Sequence, residues 1–170
     1  MPPRDDPAER AGYLRYFYRH WRPTRVGRAW SHLYAWVGGL GLLPRMLVTL
    51  QTTDSADGHD NSTILVAATL EGQRYLVSML GEHARWVQNV RASGGVASIK
   101  RGASQPVHLV EIPPPQRAPI LKAWAQAATS GRKHLPIPHD APLTEFESIA
   151  GDYPVFRIDP ALAGQPPDDA

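Results

Sequence analysis

Between Met46 and Leu80, three strand-length runs follow one another with only turn-forming residues between them. Met46 to Thr53 and Thr63 to Leu70 are rich in β-branched and apolar residues, and Arg74 to Leu80 is a third such run. Their connections are DSADGHDNS and Glu71-Gly72-Gln73. Parallel neighbours need a crossover of a dozen or more residues, so connections this short dictate antiparallel pairing. The pattern predicts a second hairpin, Gly95 to Lys100 with Pro106 to Ile112, around Arg101-Gly102-Ala103, and a last strand over Pro154 to Ile158. Five or six short antiparallel strands lose their edges by closing into a small barrel. The expected class is therefore α+β, a split antiparallel barrel, and not a doubly wound parallel sheet.

Helices are expected to cover the barrel's openings. Gly81 to Ser93 brings Trp86, Val87 and Val90 onto one face, Ile120 to Thr129 is Ala-rich, and Leu143 to Ala150 is a short third helix. The triple proline at 113–115 stops the strand before it, and the Pro- and His-rich residues 134–142 read as a connector. Near the N-terminus, Glu9 to His20 reads as a helix ended by Pro23. Val26, Trp30, Leu33 and Val37 mark a second, amphipathic one that stops at Gly38-Gly39. The domain reading is a helical extension over 1–24 with a frayed start, the barrel over 25–160, and a disordered tail over 161–170.

Charge separates the first fifty residues from the rest. They carry eight Arg against three acids, while the net charge of the whole chain is only +2. Eight aromatic side chains also fall between Tyr13 and Trp36. Two readings stay open: helices that lay Trp and Tyr in a membrane surface with Arg at the headgroups, or helices that pack their aromatic faces on the barrel and turn Arg to water. Nucleic acid is not an expected partner, because the basic excess does not extend across the domain.

Several chemistries are excluded outright. With no Cys, the chain has no disulfide, thiolate metal site or cysteine nucleophile. The longest uncharged stretch near the N-terminus, Ala29 to Pro44, is broken by His32 and three glycines and is too short for a membrane span. The acidic first ten residues are unlike a secretory signal, so a cytoplasmic protein is expected, membrane-associated only if the N-terminal helices touch lipid. GxSxG, GxxxxGK[ST] and GxGxxG are absent. Asp54, Asp57, Gly58 and Asp60 miss EF-hand spacing and read as a solvated turn, and His134 and His139 supply too few ligands for zinc, so no metal is expected. His108, inside a predicted strand, reads as a hydrogen-bonded sheet residue.

The most specific stretch is Tyr75 to Ala92, YLVSMLGEHARWVQNVRA. A strand ends in Ser78, Gly81 follows, and a helix opens carrying Trp86 and Asn89. A hydroxyl and backbone N–H groups at such a corner suit an anionic or carbonyl oxygen. The bland alternative makes Ser78 a turn residue and Trp86 core.

This stretch resembles the deazaflavin-dependent nitroreductase/quinone reductase family, in which a strand ending in Ser is followed by Gly and by W-x-x-N-x-x-A, here Ser78, Gly81, Trp86, Asn89 and Ala92. The resemblance runs from about Arg25 to the closing YPVFRI, Tyr153 to Ile158. It implies a flavin-binding-like split barrel, often a homodimer, that reduces a quinone-like or nitroaromatic acceptor by hydride transfer from coenzyme F-420, with FMN the lesser candidate. Ser78 and the backbone at Leu80 and Gly81 would meet the ring edge, and Trp86 and Asn89 would brace that corner. Tyr153 is a candidate proton donor, so Ser78 and Tyr153 are the candidate catalytic side chains. The family's phosphate-binding loop reads L-x-T-T-G-R-[RK]-S-G-x-x-R-x-x-P, and here it is LQTTDSADGHDNSTI, Leu50 to Ile64. Thr53 and Gly58 remain for cofactor binding. Asp54 replaces Gly, Ser55, Ala56 and Asn61 replace basic residues, Asp57 replaces Ser and Ile64 replaces Pro. Arg45 or Arg85 is left to replace the lost cations, and Val87 stands where many relatives have Tyr. The alternative is a non-catalytic member without the coenzyme, holding an apolar, lipid-like ligand or a protein partner.

Overall fold

The computed structural model describes residues 46–54, 58–101, 103–129 and 131–161, together with the strand residues 18–19 and 22–23. Tyr18–Arg19 (β1) and Arg22–Pro23 (β2) pair antiparallel. The helix expected over Glu9 to His20 therefore does not include Tyr18 and Arg19. Pro23 accounts for this: its ring would clash with the carbonyl of Arg19 in a helix, and it biases Arg22 towards extended backbone. The rest of that helix, the Val26–Val37 helix, the domain boundary at 24 and the tail lie outside the described residues.

Six strands make the barrel: β3 (Leu47–Thr53), β4 (Asp60–Leu70), β5 (Gln73–Val77), β6 (Val96–Arg101), β7 (Ala103–Glu111) and β8 (Val155–Pro160). Their order is β3-β4-β5-β8-β7-β6, closed by β6 against β3, and every neighbouring pair is antiparallel. The strand after the acidic loop starts at Asp60 and not at Thr63, because Thr53 pairs with Asp60 and the ladder runs on from there. Between β4 and β5 the turn is Glu71-Gly72, both with positive φ, the conformation a two-residue hairpin needs. β5 stops at Val77, three residues before its expected end.

Among the described residues, three α-helices accompany the barrel: α1 (Arg85–Ala92), α2 (Ala118–Ala127) and α3 (Leu143–Ile149). The helix expected over Gly81 to Ser93 is split. Gly81–His83 forms a 3-10 turn, Ala84 is extended, and α1 starts only afterwards. Alternation along the strands then produces two cores. Val48, Leu50, Ala67, Leu76, Ile99, Leu109 and Phe156 point into the barrel, where Trp86, Val87 and Val90 of α1 close one end. Ala68, Val77 and Val155 point outwards and are covered by Ile120, Leu121 and Trp124 of α2 and by Phe146 of α3. The Trp124 indole N–H donates to the Val66 carbonyl (3.1 Å) and fixes α2 on β4.

Buried Arg117 ties these layers together. Its guanidinium donates to the carbonyls of Ile112 (2.7 Å), Tyr153 (3.3 Å) and Ala150 (3.4 Å) and to Glu111 (3.0 Å). Replacing it by Ala would leave three carbonyls and a carboxylate short of a partner. Arg117→Ala is expected to lose about 3 kcal/mol of stability in urea denaturation, and Arg117→Lys to lose less.

Candidate functional site

The corner between β5 and α1 is built by hydrogen bonds between near neighbours. The Ser78 amide donates to the Pro154 carbonyl (2.9 Å), and the Ser78 hydroxyl donates to the Gly81 carbonyl (2.8 Å). The Gly81 amide returns to the Ser78 carbonyl (3.2 Å). Gly81 has φ +67°, and a Cβ there would stand 3.1 Å from the Asp152 carbonyl oxygen, so the chain needs glycine at this point. Ser78 is 0% exposed, so its hydroxyl shapes the corner from beneath. Among the described residues, no acceptor takes the amide N–H of Met79 or Leu80, which are half-buried at the tip of the turn.

The rest of the predicted set divides. Trp86 packs edge-on against Phe156 with ring centroids 5.3 Å apart, inside the barrel mouth. Asn89 is buried and donates to the Thr52 hydroxyl (3.2 Å), joining α1 to β3. Thr53 donates to Asp60 (3.2 Å) across the β3–β4 ladder. Gly58 has φ +69°, and its amide donates to the Asp54 carbonyl (2.9 Å), so it serves the loop's own turn. Tyr153 belongs to the core beneath α2 and α3, where burial pushes its phenol above the ordinary range and keeps it protonated. Arg45 lies outside the described residues.

Arg85 is not free to meet a ligand's phosphate. Its Nε donates to Asp54 Oδ2 (2.5 Å), and Asn61 Nδ2 reaches the same oxygen at 3.4 Å. Asp54 is only 4% exposed, so it is not part of a solvated acidic turn. Residues 55–57 lie outside the described set.

Sequence reasoning missed two further features. Arg91 forks onto both oxygens of Glu111 (2.8 and 2.6 Å) and also pairs with Glu82, linking the corner to the end of β7 and, through Glu111, to Arg117. No helical or strand spacing joins these four residues, and only the fold brings them together. The second feature is a cavity of about 440 Å³ on the outer wall of β3, β6 and β7. Gln51, Thr52, Thr53, Ser98, Ser104 and Pro106 line it, with Asp60 at one side. The Ser104 hydroxyl donates to the Gln51 side-chain oxygen (3.0 Å) and lies 3.2 Å from the Ser98 hydroxyl, from which it can accept. Thr52 and Thr53 are what this wall shares with the corner's neighbourhood. His108 bonds the Gly94 carbonyl (3.0 Å), as a sheet histidine should. Among the described residues, no three metal-ligating side chains gather, and no helix is long and apolar enough to cross a membrane.

No family model matches the chain, and no curated protein matches it. Solved structures do. One described as a domain-swapped dimer aligns over 79% of this chain and 96% of its own, at 18% identity and a TM-score of 0.50. An F420-H2 dependent reductase aligns over 69% and 96% at 22% identity and a TM-score of 0.44. A heme binding protein from Mycobacterium smegmatis aligns over 81% and 51% at 18% identity and a TM-score of 0.43. The likeness is one of fold. It is consistent with the closed antiparallel barrel described above, a split β-barrel.

The Arg91 fork gives the corner a pH dependence. The Arg91 hydrogen bond holds the Glu82 carboxyl below its ordinary value. The folded state therefore gains from ionised Glu82 above about pH 4.5, and loses that gain as pH falls through the depressed value. The pair is largely exposed, so the contribution is below about 1 kcal/mol. In urea denaturation across pH 3–7, Glu82→Gln is expected to be less stable than the parent at pH 7 and to converge with it in acid.

Proposed function

We propose that this chain is an oxidoreductase barrel of the deazaflavin-dependent type, with a flat tricyclic ring lying against the β5–α1 corner. The observation that carries this is the turn at Met79 and Leu80, half-buried residues whose amides bond to no acceptor among the described residues, in a corner that Ser78 and Gly81 tie together. Two adjacent N–H donors suit the carbonyl-bearing edge of such a ring. The resemblance of Tyr75 to Ala92 and of Tyr153 to Ile158 supports the same reading.

The ring would supply hydride chemistry; the chain's part is to bind and orient. Met79 and Leu80 hold the ring edge. Trp86, braced by Phe156, and Asn89, tied to Thr52, keep α1 and the corner in register. Ser78 acts as a positioning residue, since its hydroxyl is committed to Gly81. The acceptor is a small quinone-like or nitroaromatic compound. The β3–β4 loop does not fit the phosphate and acidic tail of coenzyme F-420: Asp54 holds Arg85, and Ser55, Ala56 and Asn61 offer no cation. No step is assigned to that part of the molecule.

Fluorescence titration with riboflavin, a flat tricyclic ring without a phosphate, tests the reading, with coenzyme F-420 and FMN in parallel. Saturable binding of riboflavin is expected, and Ser78→Ala is expected to weaken it about tenfold, the equivalent of one net hydrogen bond. Absence of riboflavin binding to folded protein would leave the non-catalytic, apolar-ligand reading in its place.

A further inference from the structure

The Asp54 carboxylate is a buried anion supplied by the chain itself. It sits where β3 ends, against the first residue of α1, with its Oδ2 on Arg85 Nε and within reach of the Asn61 amide. The main chain fixes it from both sides, because its amide donates to the His59 carbonyl (2.8 Å) and its carbonyl accepts from the Gly58 amide. The Asp54 side chain is 5% exposed while that of Arg85 is 62% exposed, so the carboxylate is the buried member of the pair. A guanidinium with a neighbouring amide donor is a seat for a carboxylate or a phosphate oxygen. Here a tethered carboxylate holds the seat, and a free anion must displace it against a high effective concentration.

We propose that Asp54 is a specificity-determining residue. By filling the anion seat at Arg85, it selects flat ring ligands without a phosphate over the same ring carrying one. The ring half of this inference rests on the function proposed above; the anion half does not. The ligand class is an uncharged tricyclic or quinone-like ring, and phosphorylated coenzymes are discriminated against.

Riboflavin and FMN share one ring and differ by a phosphate, so their affinity ratio isolates the seat. The unmodified chain is expected to bind riboflavin at least as tightly as FMN. Asp54→Asn keeps the side-chain shape and removes the charge; it is expected to shift the ratio towards FMN about tenfold. Inorganic phosphate is expected to raise the melting temperature of Asp54→Asn but not of the parent, and adding Arg85→Gln should abolish both gains. Asp54→Gly, which keeps the main-chain bonds of the loop, is the second variant. An unchanged ratio, or equal stabilisation of the parent by phosphate, overturns the proposal. So does failure of both variants to fold with phosphate present, which would make the pair purely structural. If riboflavin binds to no variant, the ring reading fails by itself, and the phosphate melting experiment still decides the role of Asp54.

Discussion

The short ladder between β6 and β3 turns this sheet into a barrel, and every other feature depends on it. It joins Thr49 to Lys100, Leu50 to Ile99 and Gln51 to Ser98. Without it, β3 and β6 would each present an unpaired edge, and Val48, Leu50, Ala97 and Ile99 would lose the enclosed interior they share. Closure also fixes where β3 ends. That endpoint sets Thr52 beneath Asn89 and Asp54 beside Arg85, so α1 is held against the barrel mouth through polar contacts at its first and fifth residues.

The two cores make different demands on the same strands. β4 and β5 bury both faces: Ala67 and Leu76 lie inside the barrel, and Ala68 and Val77 lie under α2 and α3. The wall of β3, β6 and β7 buries its inner face in the barrel, and on its outer face Thr49 of β3 is buried as well. Its outer face is polar and small, with Gln51, Ser98 and Ser104 hydrogen-bonded around the cavity and Val96 65% exposed at its rim. That asymmetry explains why the described polar contacts divide as they do. Arg117 donates to carbonyls and to Glu111 where helices meet strands, and the Ser104 hydroxyl meets the Gln51 side chain where the wall faces outwards.

Most of the barrel was legible in the sequence because its signals are local. β-branched runs marked β3, β5 and β8, Glu71-Gly72 marked a hairpin, and the prolines after Glu111 marked the end of β7. The misses came from competition between local and distant interactions. Asp60 to Ser62 have turn chemistry, but the register set by Thr53 pulls them into β4. Gly81 to Ser93 has one helical stripe, but the Ser78–Gly81 bonds and the close approach of Asp152 break it at Ala84. Of the candidate site, the corner was legible through its Ser, Gly, Trp and Asn. The Glu82–Arg91–Glu111–Arg117 chain was not, since no periodicity joins those positions.

The acidic loop marks the limit of reading charge from sequence. Three Asp within seven residues read as a solvated turn, and for Asp60, whose partner is Thr53 on the exposed ladder, that reading serves. Asp54 differs because one Arg happens to open the helix that caps the barrel. A carboxylate this buried is stable only with a cation and further donors at hand, and Arg85 and Asn61 supply both. A residue without a carboxylate at this position would leave Arg85 without that partner. What the barrel mouth presents is therefore not a lone cation but a neutralised pair, formed because the end of β3 and the start of α1 meet.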